Sequence, residues 1–529
     1  MHVRQVGYCA AGVALSLLLS ACGGGGGGGG GGGCTGTVLG TAPAVNDPLF
    51  TDQWHLRNTG QAGGCAGQDV NISALWNANT KGTGVRIAVV DDGLEIAHED
   101  LSPNVVAGSW NYVNANTNPT HVFTTSQHGT SVGGVAAARD SNGFGGAGAA
   151  PRAGLVAYNL LENFSAGNEA DAMTRGGAAE FVSNNSWGAP DNGRWAASAA
   201  TWRMAIDTGL TSGRDGLGTI YTWAAGNGGE AQGPSNAGVD NSNYDGQANY
   251  RGVLSICAVG DDGVRAFYSE RGANLWVCTP SMGRANHAIT TTDRVGALGY
   301  NTTGAAPNYS NTSYTNTFNG TSSAAPLAAG VIALVLEAKP FLTWRDLRII
   351  LAQSARKNDP GNGEWTVNSA GFNINHNYGF GVIDANAAVN LASTWTNVGA
   401  AVTFPTATAT PNLAIPDNNT TGVSNIITVA ASGIGKIEFV EINFNTNHTY
   451  VGDLDITLTA PSGTVSRLSE QHLCAGGCGG APVGTWRFGS ARHLGEPANG
   501  NWTLTVKDLF AADLGTFQSW QLTFYGRLN

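Results

Sequence analysis

Charged side chains are scarce in this chain of 529 residues, in which Asp, Glu, Lys and Arg together make up 12%. The balance is acidic, with 26 basic and 37 acidic residues and a net charge of −11. That balance argues against nucleic acid as a partner and is compatible with cationic substrates or calcium. Because 42% of the residues are apolar and 77 are Gly, the composition indicates a secreted, loop-rich globular protein rather than a disordered one.

Long apolar runs are also lacking. The run at residues 10–19, which follows Arg4, is too short for a spanning helix and is typical of a secretory signal. It ends in Leu19-Ser20-Ala21-Cys22, which resembles a bacterial lipobox whose Cys22 is acylated; an ordinary signal peptide with Cys near its cleavage site is the alternative. The glycine run 23–33 favours the lipobox, because a lipid anchor explains a flexible tether.

The expected start of the protein is therefore a lipoprotein signal peptide over residues 1–21 and a Gly-rich tether over residues 22–46. The mature protein would be exported and held in a bacterial envelope through a lipid on Cys22, at the outer membrane or the cell surface.

Cysteine is sparse, with eight residues, of which six remain if Cys9 leaves with the signal and Cys22 is acylated. Their order suggests the disulfides Cys34–Cys65, Cys257–Cys278 and Cys474–Cys478, although six cysteines allow fifteen connectivities. Zinc is a competing interpretation of Cys474 and Cys478, but no second Cys or His pair at ligand spacing supports it.

Residues 47–393 have the pattern of one α/β domain. Short β-branched runs at 85–90, 218–223 and 253–259 predict buried parallel strands. Helical patterns at 322–338 and 343–355 alternate with such runs, which predicts a parallel sheet with helices on both faces.

The composition changes after residue 393. Pro405 and Pro411 stand among Thr and Ala, which predicts a linker over residues 394–415. Alternating runs at 455–459 and 502–506, separated by turn residues, then predict an all-β, jelly-roll-like domain over residues 416–528.

Three segments of the α/β region carry residues suited to nucleophilic catalysis. Asp91 stands at the carboxyl end of a predicted strand, His128 opens a small-residue helix, and Ser322 lies at the mouth of a long apolar helix. A serine hydroxyl becomes a nucleophile when a base takes its proton and an anion orients that base. The order Asp, His, Ser along the chain is that of subtilisin.

A fourth segment ends in Asn227 after another predicted strand, and its amide would donate to an oxyanion. Each residue alone could be a cap or a turn residue. Four such segments in this order favour a catalytic set.

The catalytic region resembles the kexin/furin branch of the subtilisin-like serine peptidases. The motifs that carry the resemblance are Asp91-Asp92-Gly93-Leu94, His98-Glu99-Asp100-Leu101, Ser186-Trp187-Gly188 and Leu342-Thr343-Trp344-Arg345-Asp346. The β region resembles the P domain of that branch through Gly452-Asp453-Leu454-Asp455 and Gly500-Asn501-Trp502. The resemblance covers nearly everything from Asp47 to Gly526, and it implies an endopeptidase that cleaves after basic residues.

The resemblance also implies acidic subsites, since a buried substrate cation needs a carboxylate partner. Asp191 and Asp245 match the primary specificity pocket, Asp92 matches the carboxylate for the preceding basic residue, and Glu169 matches a more distant subsite. Thr125 and Ala197 replace acidic residues of the family, which implies a weaker preference beyond the primary pocket. Turn and cap duty is the alternative role of Asp191 and Asp245.

Calcium is the cofactor that the resemblance implies, and oxygen ligands on loops suit it. The first matched site has the side chains of Asp47, Asp100 and Asn142 and the carbonyls of Arg139, Phe144 and Gly146. The second has Asp191, Asp240 and Glu270. Solvated surface acids are the alternative for both sets.

The sequence therefore predicts a calcium-dependent, lipid-anchored serine endopeptidase acting on proteins or peptides after Arg or Lys, often after a basic pair. A broad-specificity subtilisin-like protease and a non-catalytic surface binding protein are the alternatives. Only 24 residues lie between Cys22 and Asp47, too few for the pro-domain usual in the family, so a separate chain that assists folding is a further expectation.

Overall fold

The computed structural model describes residues 36–230, 239–475, 477–478 and 485–528. The predicted signal peptide, Cys22, the glycine run and Cys34 lie outside the described residues, so the Cys34–Cys65 pairing stays a prediction. Residues 36–46, the described part of the predicted tether, contact the α/β domain instead of forming a flexible linker. Pro43 is buried and Asn77 donates to the carbonyl of Thr41 at 3.1 Å, because the α/β domain offers polar partners there.

The α/β domain is built on a parallel sheet, as predicted. Its strands run in the order β2-β3-β1-β4-β5-β6-β7, and every neighbouring pair is parallel. The strands are β1 Arg86–Asp91, β2 Trp110–Asn111, β3 Gly154–Asn159, β4 Val182–Asn185, β5 Ile220–Ala224, β6 Val253–Val259 and β7 Leu275–Pro280.

Helices cover both faces of this sheet. Alternation along β1 shows why: Ile87 and Val89 join one hydrophobic cluster, while Ala88 and Val90 join another on the opposite face. The helices of the described residues are α1 Ser73–Asn77, α2 His128–Ala137, α3 Ala166–Ala172, α4 Ala200–Ser212, α5 Thr321–Ala338, α6 Trp344–Ser354 and α7 Ala385–Ser393.

Helix α5 is the central helix of the larger cluster. Its length and apolar composition would suffice to cross a membrane, yet 89% of it is buried in the domain. Two small antiparallel sheets complete the domain, formed by β8 Ile289–Thr292 with β9 Tyr314–Phe318 and by β10 Thr366–Val367 with β11 Asn373–Ile374.

The β domain packs two antiparallel sheets around one core of aromatic and branched side chains, which confirms the predicted all-β domain. One sheet has the order β12-β20-β15-β18, with β13 also on β20, and the other has the order β14-β19-β16-β17. The strands are β12 Val402–Pro405, β13 Leu413–Ile415, β14 Asn419–Val429, β15 Lys436–Thr446, β16 Leu454–Thr459, β17 Val465–Ser469, β18 Thr485–Ser490, β19 Gly500–Asp508 and β20 Gly515–Arg527.

The linker predicted over residues 394–415 is too long. Strands β12 and β13 lie inside it and pair with β20, so only residues 394–401 connect the two domains. Proline is tolerated at the edge of a sheet, where its missing N–H leaves no ladder partner unpaired. The Pro-, Thr- and Ala-rich composition therefore predicted a linker where the structure has two edge strands.

Two of the three suggested disulfides lie within the described residues, and both form. Cys257 and Cys278 are register partners on the adjacent strands β6 and β7, and Cys474 is bonded to Cys478. The zinc alternative at Cys474 and Cys478 is not favoured, because disulfide sulfurs are not thiolate ligands.

Candidate active site

Asp91 and His128 meet at the carboxyl edge of the central sheet. Asp91 is the last residue of β1 and is fully buried, and His128 is the first residue of α2. The Nδ1 atom of His128 lies 2.9 Å from Asp91 Oδ1 and 3.0 Å from Oδ2. This contact orients the imidazole and places Nε2 on the opposite edge of the ring, where a general base must work.

The electrostatic setting of His128 favours its protonated form. Burial lowers the pKa of His128, but the charge of Asp91 and the hydrogen bond to it outweigh burial, so the pKa is raised. An imidazolium stabilised in this way is the state that a base reaches after it has taken a proton from a nucleophile.

Ser322 is the second residue of α5, after Gly320 at φ 80°. Its hydroxyl donates to the carbonyl of Ser186 at 3.2 Å, and the Ser186 hydroxyl donates to the carbonyl of Ser322 at 3.0 Å. The hydrogen-bond partner of the Ser322 hydroxyl in this structure is thus Ser186 rather than His128. Catalytic hydrogen bonds are often long or misaligned until substrate binds.

Asn227 lies beside the start of the same helix. Its Oδ1 accepts from the Thr321 N–H at 2.8 Å and from the Thr321 hydroxyl at 3.0 Å. These two bonds identify the oxygen side of the amide, so Nδ2 lies on the other side. A side-chain N–H next to the N-terminus of the serine helix is the arrangement that stabilises an oxyanion.

Asp92 is committed to the backbone of α2. Its carboxylate accepts the N–H groups of Gln127, His128 and Gly129 at 3.0, 3.1 and 2.8 Å. Burial opposes the charge of Asp92, but nearby His121 and His128 and these amides lower its pKa. The residue that sequence analysis assigned to a subsite therefore also holds the helix that carries the base.

The residues predicted for the specificity pocket lie on two adjoining loops and one helix. Asp245 accepts three backbone N–H groups, from Ala189 at 2.8 Å, Gln247 at 2.6 Å and Ala248 at 3.1 Å. Glu169, on α3, accepts from the Gln247 amide at 3.1 Å. Burial, together with the charge of Asp245, raises the pKa of Glu169 to about 7.

The second predicted calcium set is a buried acidic cluster. Asp191 accepts the Asn227 N–H at 3.0 Å, Glu270 accepts the Gly228 N–H at 3.1 Å, and Asp240 accepts the Gly193 N–H at 2.7 Å. Burial and mutual repulsion raise the pKa of Asp240 to about 7 and that of Glu270 well above its ordinary value. A bound divalent cation would remove that cost, so these residues fit calcium.

The first predicted calcium set also converges. Asn142 donates to Asp100 at 2.8 Å, and the N–H groups of Ser141 and Asn142 donate to Asp47 at 2.7 and 3.0 Å. Arg139, Phe144 and Gly146 belong to the same loop, residues 139–146, and the Gly146 N–H donates to Asp100 at 3.3 Å. Burial, with the charge of Asp47, raises the pKa of Asp100 to about 7, which fits a site made for a cation.

Three residues of this region were not predicted from the sequence. Ser186 was quoted only as part of a motif, yet its carbonyl accepts the hydrogen bond of the Ser322 hydroxyl. His121 lies between the Asp92 carbonyl, at 2.9 Å, and the Thr130 hydroxyl, at 2.8 Å. His472 reaches the loop of Asp191 from the β domain. The motif around Ser186 carried a local signal. His121 lies only nine residues before Thr130 but belongs to none of the quoted motifs, and His472 comes from a distant position in the chain.

Comparison with known proteins agrees with this geometry. Residues 82–381, more than half of the chain, match the Subtilase family, peptidase S8, and residues 437–524 match the proprotein convertase P-domain.

Individual relatives show the same two-domain match. The chain is 34% identical over 477 residues to a PC3-like endoprotease variant B of Hydra vulgaris, covering 88% of this chain and 63% of that protein. It is 33% identical over 498 residues to kexin of Saccharomyces cerevisiae, covering 91% of this chain and 57% of that protein. The chain thus spans less than two thirds of the length of these curated relatives.

A solved structure covers more of the chain. The serine protease of Aeromonas sobria, in complex with a chaperone, superposes with a TM-score of 0.84 at 28% identity, over 92% of this chain and 96% of that one. The family match, the fold and the positions of Asp91, His128 and Ser322 all indicate the same family. The chain therefore belongs to the subtilase family of serine endopeptidases and carries a proprotein convertase P-domain after its peptidase domain.

Proposed function

We propose that this protein hydrolyses peptide bonds after Arg or Lys and favours dibasic sites. The observation that carries the proposal is the set of carboxylates beside the catalytic groups: the N–H of Asn227 bonds Asp191, and Asp245 binds the loop that follows Gly188. A substrate cation that leaves water needs such partners. Kexin and a dibasic-processing endoprotease of Schizosaccharomyces pombe are among the relatives.

The reaction assigned to these residues is acyl transfer to serine. The Ser322 hydroxyl attacks the carbonyl carbon of the scissile bond while His128 takes its proton, and Asp91 keeps the imidazole oriented. The developing oxyanion accepts hydrogen bonds from Asn227 and the Ser322 N–H. His128 then gives the proton to the leaving amine, and water, activated by the same base, releases the second product.

Cleavage of fluorogenic peptides tests the activity. Wild type should hydrolyse an Arg-Arg peptide, and Ser322→Ala should lose about 10⁶-fold in kcat. Equal rates for the two proteins would support the non-catalytic surface binding protein instead.

Asp245→Asn tests the specificity. The change keeps the size of the side chain and removes the charge. We expect kcat/KM for Arg at the cleaved bond to fall by about 10–100-fold relative to Leu, the effect of losing one charged partner. An unchanged preference for Arg would favour the broad-specificity alternative.

Calcium binding is proposed at both acidic sets. The support is the raised pKa of Asp100, Asp240 and Glu270, whose carboxylates form no ion pair with Lys, Arg or His within the part of the chain that the structure describes. The first set would hold the loop of residues 139–146, and the second would hold the loops beside the specificity pocket. When bound, calcium supplies structural cross-linking and takes no part in the proton transfers assigned above.

Attachment to a bacterial envelope through acylated Cys22 is also proposed. Its support is the lipobox-like sequence followed by the glycine run 23–33. Cys22→Ser should move the protein from the membrane fraction to the soluble fraction after cell breakage, and an unchanged distribution would contradict the anchor.

A separate chain that assists folding is proposed as a partner. Its support is the solved Aeromonas sobria serine protease, which was crystallised with a chaperone. Efficient calcium-dependent refolding of the purified chain alone would contradict the need for such a partner.

A further inference from the structure

The loop that carries Asp191 lies between the two domains. We call residues 188–195 the specificity loop. On its inner side the Gly193 N–H donates to Asp240 at 2.7 Å, within the acidic cluster. On its outer side the Gly193 carbonyl oxygen lies 2.7 Å from Nε2 of His472, and the Ala475 N–H donates to the Asn192 carbonyl at 2.9 Å. The β domain thus contacts the backbone of the loop at two successive residues.

The end of the specificity loop is buried in the β domain. Trp195 is 9% exposed and belongs to the hydrophobic core of that domain. Its ring stacks on Trp486 at 5.5 Å and meets Phe488 edge-on at 5.3 Å. The loop is therefore tied at this end to a core built mainly from the β domain.

The β-domain segment that contacts the loop makes further contacts with the α/β domain. We call residues 469–475 the clasp. Tyr244 stacks on His472 at 4.7 Å, and the Tyr244 hydroxyl accepts the Glu470 N–H at 3.0 Å. The carboxylate of Glu470 lies 2.7 Å from Nε2 of His376, and Cys474 of the clasp is bonded to Cys478, three residues beyond its end.

The His472 ring bridges the clasp and the loop. Its Nδ1 atom lies 2.6 Å from the Glu470 carbonyl oxygen, and Nε2 faces Gly193. Gly193 has φ 75° and no side chain, so its position depends on such outside contacts. A displacement of about 1 Å in a binding group is enough to cost substantial activity.

We propose that the clasp, through His472, positions the specificity loop and so determines the affinity for the basic side chain of the substrate. His472 is a positioning residue: it acts through Gly193 on Asp191. The inference rests on the proposed function, in that Asp191 and Asp245 receive a substrate cation.

His472→Ala tests the proposal in the full-length protein. We expect KM for a peptide with Arg at the cleaved bond to rise about tenfold while kcat changes less than about twofold, because a ground-state contact is loosened and the catalytic groups are untouched. His472→Gln should restore KM to within about threefold, since its amide nitrogen reaches the Gly193 carbonyl.

A matched control lies in the same domain. The ring of His448 is buried between the Tyr450 carbonyl, at 2.8 Å, and Asp508, at 3.2 Å, both in the β domain. His448→Ala should lower Tm and leave KM unchanged. If His472→Ala behaves like this control, or if kcat falls as much as KM rises, the clasp is structural only and the proposal fails.

Two further variants make the result decisive. Cys474→Ser combined with Cys478→Ser removes the cross-link and keeps His472, but it also replaces the Cys474 Sγ atom, which lies 3.0 Å from the Gly193 carbonyl oxygen and 3.6 Å from His472 Nε2. This variant should raise KM in the same direction, by a smaller factor; an unchanged KM in both this variant and His472→Ala overturns the proposal. If Asp245→Asn leaves the Arg preference intact, the proposed specificity fails instead. His472→Ala is then measured on the substrate that wild type prefers, where an unchanged KM overturns the clasp.

Discussion

The catalytic groups and the specificity groups are neighbours, but they are held in different ways. Asp91, His128 and Ser322 each stand at the end of a strand or the start of a helix of the α/β domain. The specificity loop is held instead by an acidic cluster on one side and by the β domain on the other. The difference predicts that the chemistry depends on one domain, whereas the choice of substrate depends on both.

Replacing the residue that orients the base should give the largest effect among the following tests. Asp91→Asn keeps the shape of the side chain but can hold the wrong tautomer of His128, so we expect kcat to fall about 10⁴-fold. The Arg-to-Leu preference should stay the same, measured as the ratio of kcat/KM for two matched peptides. A changed preference would show that the two regions are not separable.

Removing the oxyanion donor should have the next largest effect. Asn227→Ala is expected to lower kcat about 10²–10³-fold with little change in KM, because the donor acts when charge develops on the carbonyl oxygen. Thr321→Val is the control: it removes one hydrogen bond to Asn227 Oδ1 and should cost far less. A loss confined to KM would contradict the assignment of Asn227.

The pH profile sharpens the assignment of the base. In the proposed mechanism the neutral form of His128 is the active form, and the pKa of His128 is raised, since the charge of Asp91 and the hydrogen bond to it outweigh burial. We expect kcat/KM to reach its maximum above that pKa and to fall about tenfold per pH unit below it. The apparent pKa of this profile should lie above the ordinary histidine value of about 6.5. In Asp91→Asn the acidic side of the kcat/KM profile should move to lower pH. If it does not move, the group that titrates there is not His128.

Weakening the first acidic set should have the smallest effect on catalysis. Asp100→Asn is expected to demand more calcium for the same Tm and to lower Tm by about 2–4 °C for each kcal/mol of stability lost. Asp52→Asn is the matched control, since the side chain of this exposed residue bonds only the Tyr309 hydroxyl among the contacts described. Equal calcium requirements in the two variants would contradict a site at Asp100.

Short-range patterns predicted the elements that carry the catalytic groups. The predicted strand 85–90 corresponds to β1 Arg86–Asp91, and the predicted helix 322–338 corresponds to α5 Thr321–Ala338. Both are set by continuous apolar runs in a large core, where burial dominates local preference. The predicted helix 343–355 corresponds to α6 Trp344–Ser354, which begins at a reciprocal capping box of Thr343 and Asp346.

Strands and contacts that depend on partners far away in the chain were not predicted. Strands β12 and β13 become strands by pairing with β20, more than a hundred residues later in the chain. In the same way, the contact of His472 with Gly193 joins residues 279 positions apart. No local composition signals such contacts, since their free energy comes from the partner that the fold supplies.

The sequence by itself determined the family, the two-domain order and the identity of the residues suited to catalysis, because each lies in a motif whose chemistry is local. Only the tertiary structure decided that Asp92 caps the helix of the base, that Ser186 receives the Ser322 hydroxyl and that the β domain holds the specificity loop. These contacts are hydrogen bonds between elements that are separated in the chain. They require the donor and acceptor to meet at a defined distance and angle, which only the packing of the elements provides.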